Sequence, residues 1–235
     1  MELNGKIALV TGGNRGIGFA LCRQLLDQGA TVILIARDEG KGIEAADRLA
    51  PPAGRLVVYP LDVCDDTAAG QLAGFIAGRF GHLDDLINNA GVALDKFVPS
   101  SKLGVEGLRK TLETNVVGVF KITQALMPLL AASGQGRVVN VSSQLGSLSV
   151  MGGMLLAYRM SKAALNSMTR VWAAELADSN VLVNSVCPGW VRTALGGEDA
   201  PVTPTEGAAA ILAMVTIDDD GPTGTFVRDG AVHPW

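Results

Sequence analysis

From residue 7 to residue 228 the chain alternates short apolar runs with helix-length amphipathic segments, and that alternation leaves few folds open. Residues 7–11, 31–36, 56–60, 86–89, 137–142, 181–187 and 225–228 have the length and composition of buried strands. Between them, residues 16–27, 39–49, 65–79, 105–132 with a break, 157–178 and 205–216 carry helical periodicity. Strands joined through helices run parallel, and right-handed crossovers place those helices on both faces. The pattern therefore predicts an α/β fold: one doubly wound sheet of the Rossmann type, with about seven parallel strands and helices on both faces. With 235 residues and no linker, internal repeat or low-complexity tract, residues 1–235 are expected to form a single domain.

Ligands of doubly wound sheets bind beyond the carboxyl ends of the strands, where the strand order reverses. The chemically distinctive positions of this chain collect at that edge. Gly12 to Gly18 follow the first strand and Asp62 with Val63 the third; Asn88-Asn89-Ala90-Gly91 ends the fourth, Ser143 the fifth, and Pro188-Gly189 follows the sixth. Structural glycines, capping serines and turn prolines would scatter over both edges.

Thr11-Gly12-Gly13-Asn14-Arg15-Gly16-Ile17-Gly18 joins a strand to a helix, so backbone N–H groups and a positive helix end face whatever occupies the turn. A pyrophosphate suits that place. The glycines are spaced G-x-x-x-G-x-G, not G-x-G-x-x-G, but the strand–turn–helix context is that of a dinucleotide site. At the end of the second strand, where an NAD-binding chain carries a carboxylate for the ribose hydroxyls, this chain has Ala36-Arg37. Arg37 with Arg15 offers charge-assisted bonds to a 2′-phosphate, so NADPH/NADP+ is expected over NADH. The alternative is that Arg37 is a solvated surface charge and Asp38 turns inward. Asp62 fits the adenine end of the site, or else simply forms a turn.

Tyr158 and Lys162, four residues apart on a helical stretch, put a phenol and an ammonium on one face. A nearby cation favours phenolate and is expected to draw the tyrosine pKa down towards the working range, which makes the pair a proton-transfer device. Alone the pair is weak. In the company of the glycine turn, Asn115 and Ser142-Ser143 it describes an oxidoreductase.

As a set, Thr11-Gly12-Gly13 to Gly18, Asn88-Asn89-Ala90-Gly91, Asn115, Ser143, Tyr158 with Lys162, and Pro188-Gly189 resemble the short-chain dehydrogenase/reductase family across essentially the whole chain. Ile35-Ala36-Arg37-Asp38, Val139-Asn140-Val141-Ser142-Ser143, Cys187-Pro188-Gly189-Trp190-Val191-Arg192-Thr193 and the terminal stretch 221–235 are similar to its NADPH-dependent carbonyl reductase branch. The resemblance implies reduction of ketones, aldehydes or quinones to alcohols. Tyr158 would donate the proton, Ser143 would hold the carbonyl oxygen, and Lys162 would tune Tyr158 and bind the nicotinamide ribose. Asn115 would hold a water of the proton relay. Of the two serines, Ser143 matches the family position, and Ser142 would face the other way along a continuing strand. The resemblance also assigns Gly12, Asn14, Arg15, Gly16, Ile17, Gly18, Arg37, Asp62, Val63, Asn89, Ala90, Gly91, Pro188, Gly189, Val191 and Thr193 to the cofactor. An acyl-thioester ketoreductase, an alcohol dehydrogenase of the same family and a non-catalytic NADP(H) sensor are the competing readings.

Relatives in that branch carry a long insertion ahead of the catalytic tyrosine, whereas here only Gln144 to Ala157 intervenes. Its absence leaves the long helices free to pair, and a homodimer or homotetramer is expected. Leu145, Met151, Met154, Leu155, Trp190 and Leu195 are expected to line an apolar substrate pocket under a lid made mobile by Gly146, Gly152, Gly153, Gly196 and Gly197. Trp190 reads equally as an ordinary core aromatic. A neutral small-molecule carbonyl compound is the expected partner.

Composition excludes other classes. The formal net charge is −4 and no basic run is present, which disfavours nucleic acid. The apolar runs fall short of a membrane span, and Met1 to Lys6 carries no signal-like pattern. Cys22, Cys64 and Cys187 lack paired spacing and read as buried thiols of a reducing, cytoplasmic compartment; His82 and His233 have no partners at ligand spacing, so no metal is expected.

Overall fold

The computed structural model describes residues 2–235. Its strands are β1 (Ile7–Thr11), β2 (Thr31–Ala36), β3 (Leu56–Pro60), β4 (Asp85–Asn88), β5 (Arg137–Val141), β6 (Leu182–Cys187), β7 (Phe226–Arg228) and β8 (Ala231–Val232). The helices are α1 (Gly16–Asp27), α2 (Glu39–Leu49), α3 (Ala68–Phe80), α4 (Val105–Leu112), α5 (Gly118–Ala132), α6 (Leu156–Glu175) and α7 (Pro204–Val215). The strands form one sheet in the order β3-β2-β1-β4-β5-β6-β7-β8. The chain works outward from β1 to β3, then returns to lay β4 against β1, so strand order reverses between β1 and β4.

Alternation along the strands feeds two cores, one on each face. Ala8 and Val10 of β1 with Val32, Leu34 and Ala36 of β2 join the core that takes in α1 and α7. Their neighbours Ile7, Leu9, Ile33 and Ile35 join the core built with α3, α5 and α6. Because both faces are covered, β1 and β2 are almost wholly apolar, which is why they read as continuous runs in the sequence.

Seven strands are parallel, and an eighth departs from the expected pattern. β8 pairs antiparallel with β7, Arg228 opposite Ala231 and Val227 opposite Val232. The two-residue connection is Asp229-Gly230, with φ of 52° and 76°, the pair of left-handed residues that a tight hairpin requires. Helix ends also shift. α3 begins later than expected because the Asp65 carboxylate accepts the backbone N–H and hydroxyl of Thr67 at 2.8 and 2.9 Å, making a turn of residues that could have extended the helix.

The expected break in 105–132 is a π-turn over Glu113–Val117 that joins α4 to α5 without interrupting the helix. That continuous helix, Val105–Ala132, is long and apolar enough to cross a membrane by length and composition. Yet its apolar face, with Ile122, Leu126 and Leu130, is buried in the core against the sheet. It behaves as a core helix.

A buried polar ladder runs across the central strands. Asn88 Nδ2 donates to Asn140 Oδ1 (2.9 Å) and to Thr123 Oγ1 of α5 (3.0 Å). Asn140 Nδ2 donates to Thr169 Oγ1 of α6 (2.9 Å), and Thr169 and Ser185 share a hydroxyl contact of 2.8 Å. Left unpaired, these groups would each cost on the order of 1–3 kcal/mol. Paired, they key α5 and α6 to three strands.

Candidate active site

The glycine-rich turn after β1 is shaped by close approach. A side chain on Gly18 would put its β-carbon 2.4 Å from the Gly12 carbonyl oxygen, and Gly12 itself has φ of 66°. Asn89 anchors the turn: its Nδ2 donates to the carbonyl of Thr11 (2.8 Å) and its backbone N–H to the Thr11 hydroxyl (2.9 Å). The Ala90 N–H reaches the same hydroxyl at 3.0 Å. The Asn89 side chain thus holds the cradle, and the cofactor-facing surface is left to the backbone. Asn14, Arg15, Gly16 and Ile17 complete the turn, with Ile17 packed partly against the core.

Asp38 is engaged elsewhere. Its carboxylate caps α2, accepting the Lys41 N–H at 2.9 Å, so the alternative in which it serves a ribose has lost that oxygen to the helix. Arg37 and Arg15 are both exposed, and among the described residues neither guanidinium has a hydrogen-bond or ion-pair partner. Two uncommitted guanidinium groups beside a glycine cradle suit a phosphorylated dinucleotide. Asp62 accepts the Cys64 N–H at 3.0 Å, so the turn-forming role is realised by one oxygen. Val63 packs against the start of α5, where a β-carbon on Gly118 would lie 2.8 Å from its carbonyl oxygen.

Ser143, Tyr158 and Lys162, the residues expected to transfer the proton, meet where β4, β5 and α6 converge. The Ser142 hydroxyl is turned away, donating to Asn166 Oδ1 at 2.7 Å, while the Ser143 hydroxyl acts on the Tyr158 phenol and accepts the Leu145 N–H at 3.2 Å. Lys162 Nζ donates to the Val141 carbonyl at 2.7 Å. Gly91 keeps the approach clear, since a β-carbon there would meet Asn115 Oδ1 at 3.3 Å and Lys162 Nζ at 3.7 Å.

The pKa shift of the phenol runs opposite to the one expected from the sequence. Burial pushes Tyr158 up to about 12, with the Ser143 hydrogen bond pulling back only part of the way. Burial also lowers Lys162 to about 8. Both groups lie in the same desolvated site, which penalises the ammonium as much as the phenolate, so the cation does not outweigh the burial.

Asn115 sits in the π-turn with its side chain fully used. Oδ1 accepts the Val92 N–H (2.8 Å), and Nδ2 donates to the Val92 carbonyl (2.8 Å) and to Ser161 Oγ (2.9 Å). The side chain is therefore committed to fixing the π-turn against residue 92 and α6.

After β6, Gly189 has φ of 86°, and Val191 bridges to Val202. Thr193 Oγ1 accepts the Gly196 N–H at 3.0 Å, and a β-carbon on Gly16 would lie 3.2 Å from Thr193 Cγ2. That proximity brings Pro188 to Thr193 back to the glycine turn. Trp190 is 55% exposed, its indole N–H donating to the Gly196 carbonyl at 2.8 Å; it is no core aromatic.

The expected pocket residues divide. Met151 and Met154 line a cavity with Leu148 and Met160, on the exposed face of α6. Leu145, Trp190 and Leu195 lie outside that lining. Two of the expected hinge glycines are packing glycines: a β-carbon on Gly146 would lie 2.6 Å from Lys162, and one on Gly196 would collide with the Val191 carbonyl. Gly153 and Gly197 face open space.

Residues 94–97 carry no periodic pattern and no motif that points to them. Buried Asp95 accepts the Ala157 N–H at 2.7 Å, next to Tyr158, and Lys96 Nζ donates to the Leu195 carbonyl. Leu94 and Phe97 are exposed on the same loop.

Residues 6–201 match the family model described as short chain dehydrogenase. Salutaridine reductase from Papaver bracteatum is 34% identical, covering 94% of this chain and 93% of its own length. Carbonyl reductase [NADPH] 1 from Sus scrofa is 32% identical, covering 100% of this chain and 96% of itself. That alignment spans 281 positions against 235 residues here, so the relative has positions without a counterpart in this chain. The NADPH-bound carbonyl reductase from chicken fatty liver superposes with a TM-score of 0.89 at 29% identity, covering 99% of this chain and 100% of that one.

Proposed function

This chain belongs to the short-chain dehydrogenase family, oxidoreductases that work with a nicotinamide nucleotide, and on that premise we propose that it reduces ketones, aldehydes or quinones to alcohols with NADPH. The observation that carries the reading is the grouping of half-buried Ser143 with buried Tyr158 and Lys162 at the carboxyl edge of the sheet, beside a glycine cradle flanked by two arginines whose side chains have no partner among the described residues. The likeness to carbonyl reductases over the full chain supports it.

Gly12 to Gly18, Arg15 and Arg37 hold the phosphates, Asp62 and Val63 border the adenine end, and Asn89 to Gly91 with Pro188, Gly189, Val191 and Thr193 border the nicotinamide. Bound there, the nucleotide supplies the hydride. Tyr158 gives its phenolic proton to the carbonyl oxygen, and its raised pKa keeps that proton in place until the oxygen gains negative charge. The Ser143 hydroxyl donates to the same oxygen and stabilises the developing alkoxide. Lys162 holds the ribose and carries positive charge beside the phenol. A water on the Asn115 carbonyl reconnects the site to solvent. Leu145, Trp190 and Leu195 present apolar surface to a neutral substrate, while Met151 and Met154 line the cavity on the exposed face of α6.

The protein works in the cytoplasm as a single domain that assembles into a homodimer or homotetramer. Exposed Phe120 on α5 with Met160 and Val171 on α6 supports pairing through the long helices.

The test is NADPH oxidation at saturating cofactor against aryl ketones, quinones, α-keto esters and short aldehydes, with NADH and Tyr158→Phe as controls. Turnover with NADPH that falls by about 10²–10⁴-fold in the mutant, with cofactor affinity kept, is the expected result. Cofactor binding without turnover of any carbonyl compound sinks the proposal.

A further inference from the structure

The segment between Ser143 and α6 is the wall beside Tyr158, and three of its backbone carbonyls converge on one side chain. Its first turn closes on itself, the Gly146 N–H donating to the Ser143 carbonyl at 2.8 Å and the Ser147 N–H to the Gln144 carbonyl at 3.1 Å. Midway, Ser149 is tied to the Trp235 carbonyl by its N–H (3.1 Å) and its hydroxyl (3.0 Å). The remainder leans on Arg159, the residue after Tyr158. Its Nε donates to the Met154 carbonyl at 3.0 Å, Nη2 to the Gly153 carbonyl at 3.3 Å and Nη1 to the Leu145 carbonyl at 3.5 Å. The Arg159 backbone N–H donates to the Leu155 carbonyl at 2.8 Å. The beginning and the end of the wall therefore meet on one guanidinium.

That wall needs holding. Met154 and Leu155 are consecutive left-handed residues, with φ of 63° and 55°, a conformation costing side-chain-bearing residues on the order of 1–2 kcal/mol each. Leu148, Val150, Met151 and Met154 are exposed and add little burial to offset that cost. Behind the wall, against the exposed face of α6, lies a cavity of about 310 Å³ that Arg159 helps to line. Neither Tyr158 nor Lys162 borders it. The wall has the catalytic group on one side and room to yield on the other.

We propose that Arg159 is a positioning residue that buckles residues 145–155 in place, so that the fit of this wall decides which carbonyl compounds reach Tyr158. The planar fork suits the task, because one rigid group meets carbonyls approaching from several directions. A lysine ammonium can satisfy only part of that set. Arg159 takes no part in proton transfer, since a guanidinium keeps its proton throughout the working range. Released, the wall gives way into the cavity and discrimination among bulky substrates falls.

Hydrogen exchange on the full chain with NADPH present tests the buckle in the wild type, Arg159→Lys and Arg159→Met. Amides of residues 146–155 should exchange about tenfold faster in Arg159→Met and to an intermediate degree in Arg159→Lys, with β4 and β5 unchanged. The kinetic arm, which rests on the carbonyl-reduction reading, compares kcat/KM for a bulky aryl ketone and a short aldehyde. Their ratio should change by about fivefold or more while KM for NADPH and kcat with the aldehyde hold. Unchanged exchange overturns the buckle. Faster exchange with an unchanged ratio, or an equal loss of kcat on every substrate, overturns the role in selectivity. Faster exchange in a protein whose wild type reduces no carbonyl compound retains the buckle and removes the carbonyl reading instead.

Discussion

Lys162 Nζ stands 5.6 Å from the centre of the Tyr158 ring, and the two side chains share a buried site that pushes each towards its neutral form. The phenol, raised to about 12, stays protonated throughout the working range. The ammonium, lowered to about 8, does not. On the proposed function, reduction requires the proton on Tyr158 and benefits from the charge on Lys162. The kcat/KM for a carbonyl substrate should therefore be level at acidic to neutral pH and fall as pH rises through about 8. Lys162→Arg, which keeps its charge, should lose that alkaline limb even at a lower absolute rate. A profile that rises through the same range would contradict the assignment.

Cofactor preference should reside in Arg37. With Asp38 committed to capping α2, no carboxylate at the end of β2 competes for the ribose. Replacing Arg37 with Ala removes charge-assisted bonds worth about 1.5–3 kcal/mol and should lower the NADPH-to-NADH ratio of kcat/KM by about 10- to 100-fold. The effect should shrink as salt rises, because the site is exposed. An unchanged ratio would assign the preference elsewhere.

At the opposite edge of the sheet, Asp85 is buried, with Oδ2 unpartnered. Burial first, and then the Asp84 charge, push its pKa up to about 8, against the pull of Lys6 and Arg137. Asp84 itself is held by Lys6 at 3.0 Å and His82 at 3.3 Å, and Arg137 is paired with Asp219. A raised carboxyl pKa means that the folded state keeps a proton the unfolded chain has released. Stability from this group is whole below the ordinary pKa of 3.8 and is lost as pH rises through about 8. Asp85→Asn should therefore stabilise the protein by roughly 1–3 kcal/mol at mildly alkaline pH, read from denaturant midpoints, and by much less in acid. Equal effects at both pH values would remove Asp85 as the cause.

The assembly should have at least twice the 24.3 kDa mass of one chain by size-exclusion chromatography with light scattering. Charged substitutions at Phe120 and Val171, both exposed on the long helices, should shift it towards monomer with little loss of folded signal. A monomer in the unsubstituted protein would refute the expectation.

Much of this architecture was legible before any coordinate. β1 and β2 fall on the expected runs because strands buried on both faces favour apolar residues throughout, while the edge strand β3, only half-buried, is marked by its short apolar run alone. The divergence between Ser142 and Ser143 follows from strand alternation. β8 was missed although Asp229-Gly230 announces a hairpin, since two residues are too few to show a period. The direction of the Tyr158 shift was hidden for a different reason. Spacing reports that a cation is near, but not how deeply both groups are buried, and here depth outweighs the neighbour. Asp95 and Lys96 were invisible because loop residues gain their roles from segments distant in sequence, Ala157 and Leu195.

The ladder from Asn88 through Asn140 to Thr169 and Ser185 divides the labour of the molecule. It anchors the helices bearing Asn115, Tyr158 and Lys162 to the sheet independently of the loops above. Those loops can then be rewritten for a new guest while the reacting groups stay in register. An engineer seeking altered substrate range would do well to randomise residues 148–154 with Leu94 and Phe97, sparing Gly146, Asp95 and the ladder, and treating those as the chassis on which interchangeable fittings are mounted.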